Sequence, residues 1–221
     1  MDARARSSRR PGRPPKSRDS LTRDRILAES ARVFNRRGYH GTTLDDIAGA
    51  LGVTRAALYY YVKNKQDLLF QCHQKALDLA IDAVRTAVAQ TPASDEQLRL
   101  VFRRYIEGMT DQLAGAVVLL YEGALSPELQ HRIMKQRDEY EGMLRQIIVR
   151  GVAQKVFVPC DPKLIGFGIL GALNWISRWY SPSGPRSAKE IAAAFAEYFV
   201  RGLLRRPMAE AIPPAMPDEE R

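Results

Sequence analysis

Cysteine, histidine and long apolar runs are all scarce in this chain. Of its 221 residues, two are cysteines and three are histidines. Cys72 and Cys160 lie far apart and make neither a metal-ligand spacing nor a disulfide framework, so a reducing cytoplasm is the expected setting. His40, His73 and His131 are scattered, no Ser or Cys sits in a nucleophile motif, and no Gly-rich phosphate loop is present. Catalysis, a metal and a resident cofactor are therefore not expected. No uncharged apolar run reaches the roughly 18 residues that a membrane span needs, and no apolar stretch follows the Arg-rich N-terminus as a secretory signal would require. No segment alternates at period two, so no sheet is expected.

What the chain does have is positive charge, unevenly placed. Its net charge is +9. Residues 1–67 hold 15 basic and 7 acidic side chains, against 19 and 18 in the remainder, so nearly all the excess lies in the first third. That asymmetry points to a nucleic-acid partner for the first third alone, or to a basic tail that merely solubilises. Residues 1–19 hold seven Lys or Arg, three Pro and three Ser, and little to bury; they read as a disordered basic arm. Within the arm, Arg9-Arg10-Pro11-Gly12-Arg13-Pro14-Pro15-Lys16 resembles an AT-hook, whose Arg13 would enter an A·T minor groove. A non-specific basic arm remains the alternative.

From residue 20 the chain reads as helix after helix, at an apolar fraction of 45%, enough for a sizeable core. Leu27, Ala31 and Phe34 mark a first helix ending near Arg37-Gly38. Leu44, Ile47, Ala48 and Leu51 mark a second, with Thr43 and Asp46 as its capping box. Gly52 suits a turn, and Thr54 caps a short third helix carrying Ala57, Leu58 and Tyr61. Asn64 caps a fourth with Leu68, Cys72, Leu79 and Ala83 inside. Ser94 with Gln97 reads as a capping box for a helix to about Met109, and a short apolar helix is expected over about 113–123. Ser126-Pro127 opens a long helix to about Lys155, with Leu129, Ile133, Tyr140, Leu144, Ile147 and Gly151 as its stripe. Asp161-Pro162 opens the next. Ser187 with Glu190 opens the last, to about Arg205. Residues 207–221 hold four prolines and read as a frayed tail. The expectation is an all-α protein: arm 1–19, DNA-binding unit 20–66, helical unit 67–206, tail 207–221.

Residues 42–62, TTLDDIAGALGVTRAALYYYV, meet the requirements of a helix-turn-helix. Ile47, Ala48 and Leu51 hold the first helix to its partner, Gly52 permits the turn and Val53 plugs the corner. The second helix then presents Thr54, Arg55, Ala56, Tyr59 and Tyr60. Recognition helices put their N-terminal residues on base edges and their flanks on phosphates. Arg55 suits guanine and Ala56 a thymine methyl, whereas Tyr59, Tyr60, Lys65, Thr42 and Thr43 suit phosphates.

Residues 22–70 resemble the N-terminal domain of TetR/AcrR-family regulators. The resemblance rests on Phe34…Arg37-Gly38-Tyr39…Thr42-Thr43…Ile47-Ala48 and on Leu58-Tyr59-Tyr60-Tyr61-Val62-Lys63-Asn64-Lys65…Leu68, with Tyr60 standing where related proteins often have His. It implies an all-α protomer of three DNA-binding helices and a helical effector and dimer unit. It also implies a homodimer pairing the helices at about 161–180 and 187–205, bound to a double-stranded operator. Gly166, Gly168, Gly171 and Ala172 permit close helix contact there, and a two-fold assembly is the default.

Asn174-Trp175-Ile176-Ser177-Arg178-Trp179-Tyr180 and the following SPSGPRSAKEIAAAFAEYFVRGL are similar to the acyl-CoA-responsive members of that family. The similarity implies a repressor that leaves DNA on binding a CoA thioester. Trp175 and Trp179, one turn apart, suit an apolar acyl group, Arg178 suits a phosphate or carboxylate, and Tyr105, Met109 and Tyr121 can line the same cavity. Packing in a core or dimer explains the two tryptophans equally well. An activator, an architectural DNA binder without effector, and an effector-binding protein with a vestigial DNA unit are the alternative functions.

Overall fold

The computed structural model describes residues 21–113, 123–181 and 183–205. Within them the chain forms eight α-helices: α1 (Arg23–Arg37), α2 (Leu44–Leu51), α3 (Arg55–Leu58), α4 (Lys65–Gln90), α5 (Ser94–Leu113), α6 (Pro127–Ala153), α7 (Pro162–Trp179) and α8 (Ala188–Leu203). The basic arm with Arg13, the C-terminal tail, Tyr121 and most of the expected helix over 113–123 lie outside the described residues.

Side-chain oxygens fix where most of these helices start. Thr22, Thr43, Thr54, Asn64, Ser126, Asp161 and Ser187 each accept a hydrogen bond from a first-turn amide, satisfying donors that the helix cannot. Thr43/Asp46 and Ser187/Glu190 form full capping boxes. The expected box at Ser94/Gln97 is a correction. Ser94 is already helical and buried; its hydroxyl meets Gln154 Oε1 at 3.0 Å, and Gln97 Nε2 donates to Thr91 O at 2.7 Å. These residues tie α5 to its preceding turn and to the end of α6 instead of capping α5.

Two cores form. The first gathers Ile26, Leu27 and Phe34 of α1, Ile47 and Leu51 of α2, Leu58 of α3 and Leu68, Leu69 and Cys72 of α4. The second gathers the distal part of α4 with α5 to α8, around Phe102, Ile106, Leu144, Ile147, Ile169 and Val200. Helix α4 runs through both. So does α6: its Ile133, with Ala124 and Leu125 before it, is buried in the first core, while Leu144 and Ile147 are buried in the second.

No sheet forms among the described residues, but one isolated antiparallel bridge joins Phe157 and Leu204. Val158 N–H donates to Leu203 O and Arg205 N–H to Val156 O, clasping the turn after α6 to the end of α8. Phe157 is buried in that clasp, directly against Gly151.

Candidate nucleic-acid interface and effector region

Helices α2 and α3 are joined by Gly52, Val53 and Thr54. Gly52 adopts φ 69° and ψ 31°, a left-handed conformation that costs other residues free energy. Its amide and that of Val53 donate back to the end of α2, which aims the chain into α3. Leu58 is fully buried, so Arg55, Ala56, Tyr59 and Tyr60 must face outward, and all four are exposed; Tyr60 is 91% exposed. Thr54, the cap of α3, is exposed beside them. The structure therefore brings together the five side chains expected on the reading surface.

Arg55 is held before DNA arrives. Its Nη1 donates to Asp45 Oδ2 at 2.9 Å, and its Nε and Nη2 donate to the Tyr59 hydroxyl at 3.1 and 2.9 Å. The guanidinium also lies 5.6 Å from the Tyr59 ring centroid. Asp46, beside Asp45, is paired with Arg37, and its carboxyl is held below the usual range chiefly by hydrogen bonds from Thr43. Both acids of the first turn of α2 are thus matched by arginines that share the exposed face. Asp45 was invisible as a partner in the sequence, because a separation of ten residues crosses the turn and follows no helical period.

Two expected phosphate ligands need correction. Thr42 is fully buried, and its hydroxyl donates to Gly38 O at 2.7 Å. Lys65 Nζ donates to Tyr39 O at 2.9 Å and to Thr42 O at 2.8 Å, and lies 4.3 Å from the centroid of the Tyr39 ring. Two of its three N–H donors are spent fastening the α1–α2 turn to the start of α4. Thr43 is exposed, but its hydroxyl is committed to the capping box with Asp46. Tyr61, just after α3, is exposed at 36%; its hydroxyl donates to Leu21 O at 2.8 Å and anchors the chain entering α1. Because bonds from a charged donor to buried carbonyls are worth about 1.5–3 kcal/mol, Lys65→Met should lower stability by an amount of that order. Thermal unfolding reads this directly, and a variant as stable as the parent contradicts the fastening role.

The residues expected at the effector divide into two groups. Tyr105 and Met109 are buried in the second core. Trp175 and Trp179 are not with them: they are 64% and 48% exposed, on the outer face of α7, and Arg178 is exposed beside them. A single cavity lined by all five residues is therefore a correction. The helical period puts Ile169, Leu173 and Ile176 of α7 inward, and that turns the tryptophans out. Trp179 lies beside Phe195 of α8, at 6.4 Å between ring centroids.

What joins Tyr105 instead is Tyr140 of α6, stacked at 6.3 Å with 15° between ring planes. His73 of α4 is buried as well. Burial, and secondarily the charge of Arg137, push its imidazole down to about 4 from 6.5. A folded-state value below the unfolded one means that the unfolded chain takes up a proton that the folded chain refuses. Stability is then full above about pH 6.5 and falls toward pH 4, by about 3 kcal/mol. His73→Leu should flatten this part of the pH profile of the melting temperature. A profile identical to the parent's rejects a buried neutral imidazole.

The first core and the second are linked by more than α4. Gln66 Nε2 donates to Ala124 O at 3.3 Å, and the Arg132 guanidinium lies 4.7 Å from the Phe70 ring centroid. The start of α6 is thus fastened to the start of α4, next to the DNA-facing helices.

Among the described residues no helix is long and apolar enough to cross a membrane, and no cluster of three or more His, Cys, Asp or Glu is placed to hold a metal. An all-helical protomer that displays an Arg- and Tyr-bearing helix across a glycine turn is a helix-turn-helix DNA-binding regulator. Residues 26–72 match the model of bacterial regulatory proteins of the tetR family, and residues 91–203 match that of the tetracycline-repressor-like C-terminal domain. The chain belongs to the TetR family of bacterial transcriptional regulators. It is 27% identical to the HTH-type transcriptional repressor KstR2 of Mycolicibacterium smegmatis over 191 residues, 85% of this chain and 93% of that protein. In fold it is similar to the TetR-family regulator PfmR of Thermus thermophilus, at 35% identity and a TM-score of 0.71, covering 82% of this chain and all of that one. It is also similar to AibR crystallised with isovaleryl coenzyme A and operator DNA, at 29% identity and a TM-score of 0.67, covering 80% of this chain and 97% of that one.

Proposed function

We propose that this protein is a homodimeric repressor that leaves its operator on binding an acyl-CoA thioester. The observation that carries the reading is the exposed Arg55, Ala56, Tyr59 and Tyr60 surface, built on a helix pair whose core includes the start of α6. A change in how α6 packs in the second core alters the seat of the DNA-facing helices, because Ile133 and Leu144 are on one rigid element. AibR, seen with both isovaleryl coenzyme A and operator DNA, supports the ligand class.

The dimer reading is supported by α7. Leu164, Phe167, Trp175 and Trp179 form an exposed apolar stripe along it, and Tyr198 of α8 is exposed as well. A patch of that kind on one protomer marks an interaction surface. Gly168 and Gly171 share the exposed face, and a Cβ at either would meet nothing within 4 Å. Helical glycines cost about 1 kcal/mol each, and nothing among the described residues of the protomer requires them, whereas the close approach of a second copy would. Such a pairing places two α3 helices on half-sites about 34 Å apart.

Arg55 is assigned to base reading, with its Asp45 pair exchanged for guanine on binding. Arg55→Ala should cost about 1–3 kcal/mol on the operator and far less on unrelated DNA. Tyr60→Ala should weaken both alike. Fluorescence anisotropy on operator and scrambled duplexes at fixed salt separates them, and an equal loss on both duplexes rejects the role given to Arg55.

A further inference from the structure

The larger share of the net positive charge in the first third of the chain precedes its folded helices. Residues 1–19 carry seven basic and two acidic side chains, and residues 20–67 carry eight and five. Half of those eight are already engaged: Arg32, Arg37 and Arg55 with Glu29, Asp46 and Asp45, and Lys65 with two backbone carbonyls. The folded DNA-facing unit thus has few cations to spare, whereas binding to a polyanion draws on them heavily.

Within residues 1–19 the cations have an order. Arg10, Arg13 and Lys16 recur at every third residue, interspersed with Pro11, Pro14 and Pro15 and with Gly12. Proline fixes its own φ and biases the residue before it toward extended backbone. In a polyproline II conformation three residues make one turn with a rise of about 3.1 Å each, so Arg10, Arg13 and Lys16 would share one edge at spacings of about 9 Å. Such a ribbon is thin enough for a minor groove about 6 Å wide, where a helix about 10–12 Å across is not. Gly12 lets the backbone approach the groove floor between the two arginines. An A·T minor groove is narrow and strongly negative and attracts arginine, whereas the N2 amino group of guanine obstructs the floor of a G·C one.

The chain that follows this segment is held at a fixed place beside α3. Leu21 O accepts from the Tyr61 hydroxyl at 2.8 Å. Gln71 Nε2 donates to Tyr61 O at 3.2 Å, and Gln71 Oε1 accepts from Arg23 Nε at 3.2 Å. Arg25 Nη2 donates to Leu51 O, at the end of α2, at 3.3 Å. Tyr61 follows directly on Tyr60, the most exposed aromatic of the DNA-facing surface. From Leu21 back to Arg13 the chain can span about 25 Å, and the minor groove next to the major groove met by α3 lies half a turn, roughly 17 Å, away.

We propose that residues 9–16 are a second DNA-reading element, in which Arg10 and Arg13 enter the A·T minor groove beside the major groove met by α3 of the same protomer. The inference needs α3 on DNA and is independent of the effector.

The test uses the full-length protein and two double variants that remove equal charge, Arg10→Ala/Arg13→Ala and Arg4→Ala/Arg6→Ala. Footprinting on the duplex upstream of the protein's own gene first locates the half-sites. Three duplexes then keep those half-sites and carry A·T, G·C or inosine·cytosine pairs beside them. Inosine lacks the N2 amino group, so its pair with cytosine looks like G·C in the major groove and like A·T in the minor. By anisotropy at fixed salt, the parent should bind the A·T and inosine duplexes about tenfold more tightly than the G·C duplex. Arg10→Ala/Arg13→Ala should erase that gap, and Arg4→Ala/Arg6→Ala should keep it. A parent indifferent to the flanks is the behaviour of a basic arm on phosphates alone, and overturns the inference. So does an inosine duplex that binds like the G·C one, or a gap that survives Arg10→Ala/Arg13→Ala or is lost equally in Arg4→Ala/Arg6→Ala. If footprinting finds no half-site, the operator reading fails by itself, and plain duplexes of the same three compositions must still rank A·T and inosine above G·C; equal binding there overturns the inference too.

Discussion

Trp175→Glu should convert the protein to a monomer and lower operator affinity about 10²–10⁴-fold, the range over which linked sites exceed single ones. On α7 the inward residues Ile169, Leu173 and Ile176 are buried in the protomer, while Leu164, Phe167, Trp175 and Trp179 are left on the other side. Trp175 is 64% exposed, so its replacement removes little from the core of the single protomer. In a two-fold interface, by contrast, each glutamate would be buried opposite apolar side chains with no partner, a cost of several kcal/mol on each side. Circular dichroism of the variant should match the parent. Light scattering should halve the mass, and the loss on operator DNA should come from losing simultaneous contact with two half-sites. A variant that stays dimeric at micromolar concentration, or a monomer with undiminished operator affinity, refutes the assignment of this face.

Gly151→Ala should destabilise the fold by about 3 kcal/mol or more, at the upper end of what overpacking a core costs. A Cβ at position 151 would overlap Phe157 Cδ2 and Cε2. The ring has little room to withdraw. Phe157 is 1% exposed, Val156 and Phe157 both donate their amides to Gly151 O, and the bridge to Leu204 fixes the same turn from the other side. For a chain of this length the melting temperature should fall by roughly 10 °C. Phe157→Ala alone should also destabilise, by loss of a buried ring. The double variant should be less destabilised than the sum of the two, because the alanine at 151 then has space. Strict additivity would show that the ring is not the obstacle.

The sequence made local structure readable where the physics is local. The stripe Leu44, Ile47, Ala48, Leu51, the caps at Thr43, Asn64, Ser126, Asp161 and Ser187, and the glycine turn at Gly52 all involve residues within about four positions of one another, and each is where its spacing placed it. The exposure of Arg55, Ala56, Tyr59 and Tyr60 follows from the same periodicity once Leu58 is inside. Other features are set between helices and leave no trace in spacing. Ser94 and Gln97 carry the letters of a capping box, yet a neighbouring helix and the preceding turn take their side chains. Lys65 looks like a phosphate ligand until the carbonyls of Tyr39 and Thr42 are found beneath it. The tryptophans of α7 share a face, but spacing does not say whether that face is turned to an effector or to a second protomer. Tyr140 reads as packing because its stack on Tyr105 depends on how α5 and α6 cross.

The proposed repressor both holds an operator and lets it go when an acyl-CoA occupies the second core. The direct measurement is fluorescence anisotropy of the full-length protein on the duplex upstream of its own gene, titrated with short-chain acyl-CoA thioesters and with the matching free acids. The expected result is sequence-dependent binding that a thioester reverses and the free acid does not. Binding that no thioester disturbs would contradict the release mechanism, and binding that ignores sequence would contradict the repressor itself.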